Sequence, residues 1–150
     1  MALKKTLLEL VQDIPKSTQW ARDNKDRVAE ADRLNKGTLK GKLVSLITQS
    51  RYRVKKSGLE HSIDSKFLMG LYSKQGGKCA LSGIVMTTRG ERGGDEYWKS
   101  ISLDRIDSSK GYTEDNVQLV CTGVNYMKKD MSDELFVHFC KTVVENQRGS

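Results

Sequence analysis

The chain is poor in proline, histidine and cysteine pairs, and it has no long apolar run. No stretch approaches the roughly 20 apolar residues that a membrane span requires, so no transmembrane helix is expected. Acids and glutamine interrupt the apolar residues of the N-terminal "MALKKTLLELVQDIPKSTQW", which excludes a cleavable secretory pattern. The one proline, Pro15, ends an expected helix over 3–14. Three cysteines (Cys79, Cys121 and Cys140) form no CxxC pair, and an odd number excludes a fully paired secreted scaffold. They read as reduced, mostly buried thiols in a soluble protein of the cytoplasm.

Acidic residues are missing where it matters most. Between Asp32 and Glu60 there is no acid, yet there are eight bases: Arg33, Lys36, Lys40, Lys42, Arg51, Arg53, Lys55 and Lys56. The formal net charge of +7 sits wholly in the first half, since residues 76–150 carry 10 bases against 11 acids. A solvated helix face normally mixes signs, and a one-signed stretch repels itself unless a polyanion neutralises it. Phosphate contact and counterion release make nucleic acid the expected partner, and double-stranded DNA the specific expectation.

With 150 residues and 37% hydrophobic content, one modest core is expected. Residues 17–34 are polar, and they read as a solvent-facing helix or as an arm that orders on a ligand. Asn35-Lys36-Gly37 is a break. Residues 38–57 predict a helix with Leu39, Leu43, Leu46, Ile47 and Val54 on one stripe and Gly58 after its end. A second helix is expected over 65–75, capped by Asp64 and stopped by Gly76-Gly77. "KCALSG" reads as a turn, "IVMTT" as a strand and "RGERGGDEY" as a loop. "WKSISLD" and "NVQLVC" alternate like two strands that pair across the loop "RIDSSKGYTED". A short helix over 122–130 follows, then a last helix over 133–146. Ser132 caps that helix, and its apolar stripe is Phe136, Phe139, Cys140, Val143 and Val144.

Residues 79–130 contain, in order, "LDRIDSSKGY", "DN", "VQLVC", an asparagine and a lysine three residues after it. On these residues the chain resembles the HNH nuclease family, and within it the phage-encoded and restriction-type members with Asp-Arg in place of Asp-His. The resemblance implies an α+β protein in which a basic helical half precedes a ββα-metal unit and a C-terminal helix. The division it suggests is a DNA-binding arm over 1–60 and a nuclease domain over 61–150. It implies a homing- or restriction-type DNA endonuclease, placed in the host-cell cytoplasm if phage-encoded. The alternative is a catalytically inactive HNH-like protein that binds DNA or RNA.

The resemblance also assigns residues. Asp104 and Asn125 would give two oxygen ligands to one Mg²⁺ or Mn²⁺, a cation that keeps water and takes substrate phosphate oxygens for the rest of its shell. Asn116 would tie the loop together, against a plain turn reading of "EDN". Arg105 stands where most relatives carry a histidine base. An arginine cannot accept that proton, but it can grip a phosphate bidentately. Some relatives with Asp-Arg are active, so the base would come from elsewhere. His61 is the candidate, with Tyr97 or Tyr112 as residues that orient the water. Lys128 and Lys129 would touch the backbone beside the cut. Relatives often hold structural zinc through two CxxC pairs, but here Cys79 pairs with Ser82 and Cys121 with Val124, so zinc is expected to be absent. One unit would cut one strand, and a double-strand cut would call for a homodimer or two visits.

Overall fold

The computed structural model describes residues 22–23, 25–89 and 93–149. The expected helix over 3–14, with Pro15, lies outside them. Six helices and two strands follow in the order α1 (Lys25–Lys36), α2 (Leu39–Ser57), α3 (Ser65–Lys74), α4 (Asp95–Trp98), β1 (Ile101–Arg105), β2 (Val117–Cys121), α5 (Thr122–Lys128) and α6 (Asp133–Arg148) among the described residues. The class is α+β, with one small antiparallel sheet of two strands.

Helix α2 shows why its residues fold as they do. The Thr38 side chain accepts from the Gly41 N–H at 3.0 Å, which satisfies one of the free donors of the first turn. Gly58 ends the helix with φ 69°, a left-handed conformation that favours glycine, and returns its N–H to Val54. In between, Leu43, Leu46, Ile47 and Val54 are buried. This stripe packs on α1, α3 and β1. It joins Leu68 of α3, Ile101 and Leu103 of β1, and Leu119 of β2 in one hydrophobic cluster. The division expected at residue 60 therefore runs through a shared core. Helix α3 starts where Asp64 accepts from the Phe67 N–H at 2.7 Å.

Strands β1 and β2 pair antiparallel, with Leu103 opposite Leu119 and Asp104 opposite Gln118. Residues 106–116 connect them. Helix α5 follows β2 directly and packs on both strands.

The structure departs from the sequence expectations in three places. "IVMTT" forms no ladder, and Val85 and Thr87 make only isolated bridges to Lys78 and Ser100. The strand expected from Trp98 begins at Ile101, because Asp95–Trp98 form a helical turn with Asp95 and Glu96 at its start, where the helix dipole favours acids. The stripe of α6 is buried only at Phe136, while Phe139 and Val143 are 54% and 60% exposed. That helix packs against α5. Cys140 is exposed with the stripe, whereas Cys79 and Cys121 are buried. Among the described residues no helix is long and apolar enough to cross a membrane.

Candidate active site

A cleft of about 300 Å³ opens where β1 ends, lined by Arg53, Asp104, Arg105, Tyr112, Asn125, Lys129 and Asp130 together with Leu103 and Ser108. It forms because two successive residues of a strand point to opposite faces. Ser102 and Asp104 face α5. There Asn125 donates through Nδ2 to Ser102 Oγ at 2.7 Å and, more weakly, to Leu103 O at 3.4 Å. Leu103 O can only accept, so the amide nitrogen must be the atom facing it. The planar amide therefore turns its oxygen away from Ser102. Arg105 faces the other way. Its Nη1 donates to Lys110 O at 2.9 Å, and its guanidinium lies 5.2 Å from the centre of the Tyr112 ring.

The loop behind this wall is held by Asn116, which is 5% exposed. Its Oδ1 accepts from Asp107 N at 2.9 Å, and its Nδ2 donates to Asp107 O and Gly111 O. One amide thus uses both its donor and acceptor capacity to close an otherwise irregular segment. Asp107 is a turn residue that accepts from the Ser109 N–H and hydroxyl, and these hydrogen bonds hold its carboxyl below the usual range. Tyr112 is buried, and its backbone pairs with residues 60–62.

Asp104 is buried at 4% exposure and has charged and polar company. Its Oδ2 accepts from Gln118 Nε2 at 2.9 Å. The Lys128 ammonium lies 3.0 Å from Oδ2 and 3.3 Å from Oδ1. The same ammonium donates to Arg105 O at 3.1 Å and lies 3.4 Å from Asp133 Oδ1. Lys128 is 0% exposed. This corrects the expected backbone contact: a side chain wholly inside the protein, held by two carboxylates and a carbonyl, has no surface to offer DNA. Lys129 is exposed and lines the cleft, at a backbone φ of 49°.

His61 does not line the cleft. Its Nε2 is 2.8 Å from Ser50 Oγ, and its ring packs on Tyr112 at 5.8 Å between centroids. Tyr112 thus touches both His61 and Arg105. Partial burial and the neighbouring Arg51 lower the His61 pKa below 6.5, so the imidazole is neutral at pH 7. Tyr97 packs edge-on against Trp98, away from the cleft-lining residues. His138 is on the exposed face of α6, against Phe139.

The remaining bases of α2 divide by position. Lys40, Arg51, Lys55 and Lys56 are exposed, and Lys56 reaches over the Tyr52 ring. Lys42 is half-buried, and that burial lowers its pKa. The side chain of Lys36 lies outside the described residues. Arg53 turns into the cleft, where its Nη1 is 3.5 Å from the Tyr112 hydroxyl.

The cleft also contains Asp130 and Ser108, which the sequence reading passed over. Asp130 comes back toward the strand because α5 stops at Lys128 and the chain reverses at Lys129. The lysine at that reversal hides the turn, since a glycine would have marked it.

A small hard cation at this cleft would meet donors that are already partly engaged by Lys128 and Gln118. Asp104 supplies a carboxylate and Asn125 an amide oxygen, and Asp130 stands at the same cleft. One or two carboxylates with water and phosphate oxygens are an ordinary set for Mg²⁺. Among the described residues no three His, Cys, Asp or Glu side chains gather into a metal-holding group. At the cysteines, burial and the adjacent Cys79 push the Cys121 thiol up to about 11. No family model, curated protein or solved structure matches the chain.

Proposed function

We propose that the chain is a metal-dependent DNA endonuclease of the HNH type, in which β1, β2 and α5 form the ββα-metal unit. The observation that carries this reading is one shared cleft at the end of β1. It brings Asp104 and Asn125, 21 residues apart in sequence, together with three cationic side chains: Arg53, Arg105 and Lys129. A Mg²⁺ or Mn²⁺ held by Asp104 and Asn125 would supply Lewis-acid stabilisation of the leaving oxygen.

The chain's own groups do the rest. Arg105 is pre-set by Lys110 O and the Tyr112 ring, so it meets a phosphate with little ordering cost. Arg53 and Lys129 flank it. Lys40, Arg51, Lys55 and Lys56 extend the positive face along α2 and hold double-stranded DNA through its backbone. Asp130 lines the same cleft, and on this reading it is the candidate to take the proton of the attacking water. His61 packs on the Tyr112 ring, which lines the cleft, and so acts on the cleft at one remove. A homodimer would pair two such sites for a double-strand cut.

A second reading has an observation of its own. Lys128 already neutralises Asp104, and a buried ion pair needs no metal. Under that reading the chain binds nucleic acid without cutting it. Plasmid nicking separates the two. The native protein should nick supercoiled DNA with Mg²⁺ or Mn²⁺, and EDTA, Asp104→Ala or Asn125→Ala should abolish nicking. A gel shift with each variant verifies that binding survives. Retarded DNA that is never nicked under any divalent cation would leave only the binding reading.

A further inference from the structure

Resting on the metal reading of the cleft, we infer that Lys128 is a positioning residue that sets how strongly Asp104 draws a divalent cation, with Asp133 dividing the ammonium between two carboxylates. The ammonium is wholly buried and lies on the same Asp104 carboxylate that faces the cleft. It sits closer to Oδ2, at 3.0 Å, than to Oδ1, at 3.3 Å. Gln118 adds a second donor to Oδ2, at 2.9 Å. Oδ2 is therefore committed to the interior, and Oδ1 is the less engaged oxygen. A carboxylate oxygen has two lone-pair sites, so Oδ1 can still serve the cleft.

This arrangement has two opposed effects. Lys128 locks the carboxylate rotamer, which favours binding by pre-organisation. Its charge also repels any cation that approaches the same group, in surroundings screened less than water. Asp133 moderates that repulsion. It draws the ammonium from the other side at 3.4 Å and shares the Gln118 amide at 3.1 Å through each of its oxygens. The sequence separates these charges by 24 and 5 residues, yet the fold gathers Asp104, Lys128 and Asp133 into one cluster with Gln118. A cluster of this kind lets the protein keep a buried carboxylate folded and satisfied before any metal arrives. It also makes the site's metal affinity depend on a lysine that touches neither metal nor DNA.

The test is Mn²⁺ binding to the full chain without DNA, read from the free-ion EPR signal. Lys128→Gln keeps a hydrogen-bonding side chain but removes the charge, and it should tighten Mn²⁺ binding roughly tenfold. Asp133→Asn leaves the ammonium to Asp104 alone and should weaken binding severalfold. A lysine that merely supports the structure would weaken binding in both variants. Folded Lys128→Gln that binds Mn²⁺ no better than the native chain overturns the inference. So does Asp133→Asn with unchanged or tighter binding, and that arm decides the matter if Lys128→Gln fails to fold. Asp104→Asn separates the underlying reading: Mn²⁺ binding that survives it places the metal elsewhere and removes both.

Discussion

Gly111 supports the wall of the cleft, and the expected consequence of losing it is large. A Cβ at this position would overlap the carbonyl oxygen of Glu60 and lie 2.8 Å from the Glu60 carbonyl carbon and nitrogen. All three are backbone atoms, which cannot swing aside as a side chain would. The approach is this close because the next residue pairs with the same segment. Tyr112 N donates to Glu60 O at 2.9 Å, and Ser62 N donates to Tyr112 O at 3.0 Å. Asn116 adds its bond to Gly111 O at 2.9 Å.

Gly111→Ala must therefore push the loop off residues 60–62. Overpacking of this kind costs about 1–3 kcal/mol, and each weakened hydrogen bond adds about 1 kcal/mol. A total of roughly 3–5 kcal/mol is expected, which for a chain of this size lowers Tm by roughly 10–15 °C. Gly70→Ala is the matched control. It makes the same chemical change on α3, where nothing lies within 4 Å, and should raise stability by up to about 1 kcal/mol. Urea titration and thermal melting of the two variants measure the difference. Tyr112 carries the Arg105 guanidinium on its ring, so phosphate affinity should fall with the alanine at 111. Equal melting of Gly111→Ala and the native chain would refute the packing of this loop on Glu60, and with it the placement of Arg105.

Two further outcomes follow from the backbone and charge geometry. Lys129 holds φ 49° and ψ −118°, which suits glycine, so Lys129→Gly should gain about 1 kcal/mol of stability. It should also weaken DNA binding and reduce the slope of log K against log salt by about 0.9; an unchanged slope removes Lys129 from the interface. His61 has its pKa depressed by burial first and by Arg51 second, so the unfolded chain takes up its proton at a higher pH than the folded one. The stabilisation is complete above pH 6.5 and is lost as pH falls through the folded value. Urea midpoints between pH 7.5 and 5 should fall more steeply for the native chain than for His61→Gln, and equal slopes would refute this placement of the His61 ring.

What could be read from the sequence was mostly local. The stripe Leu39, Leu43, Leu46, Ile47 and Val54 with Gly58 after it specifies α2, because period and cap lie in the same twenty residues. Asp64 and Ser132 marked helix starts for the same reason. The stripe on α6 shows the limit of such reading. Periodicity tells which face is apolar, not whether another element reaches it, and beyond Phe136 the described residues leave that face open. Lys128 was misread for a related reason. A lysine near the end of a helix is usually solvated, and here its burial is stabilised by carboxylates from β1 and α6 and by the Arg105 carbonyl. His61 does not line the cleft but packs on Tyr112, which does, and that is a tertiary fact no local pattern carries.

On the endonuclease reading proposed above, the charges around the cleft make binding and cutting separate steps. Lys128 offsets part of the Asp104 charge, and Arg53, Arg105 and Lys129 outnumber the carboxylates that share the cleft. The cleft is then cationic before any metal enters, and a phosphate is attracted to it unaided. A divalent ion, by contrast, meets the engaged Asp104 carboxylate, the Asn125 amide and Asp130 beside three cationic side chains, a site still incomplete without further oxygens. The phosphate supplies those oxygens. Metal affinity should therefore rise when DNA is present, and DNA should bind in EDTA, because each partner removes the repulsion the other meets alone. A decayed site would keep the first attraction and lose this coupling, which makes the coupling, rather than binding itself, the property that separates an enzyme from a binding relic.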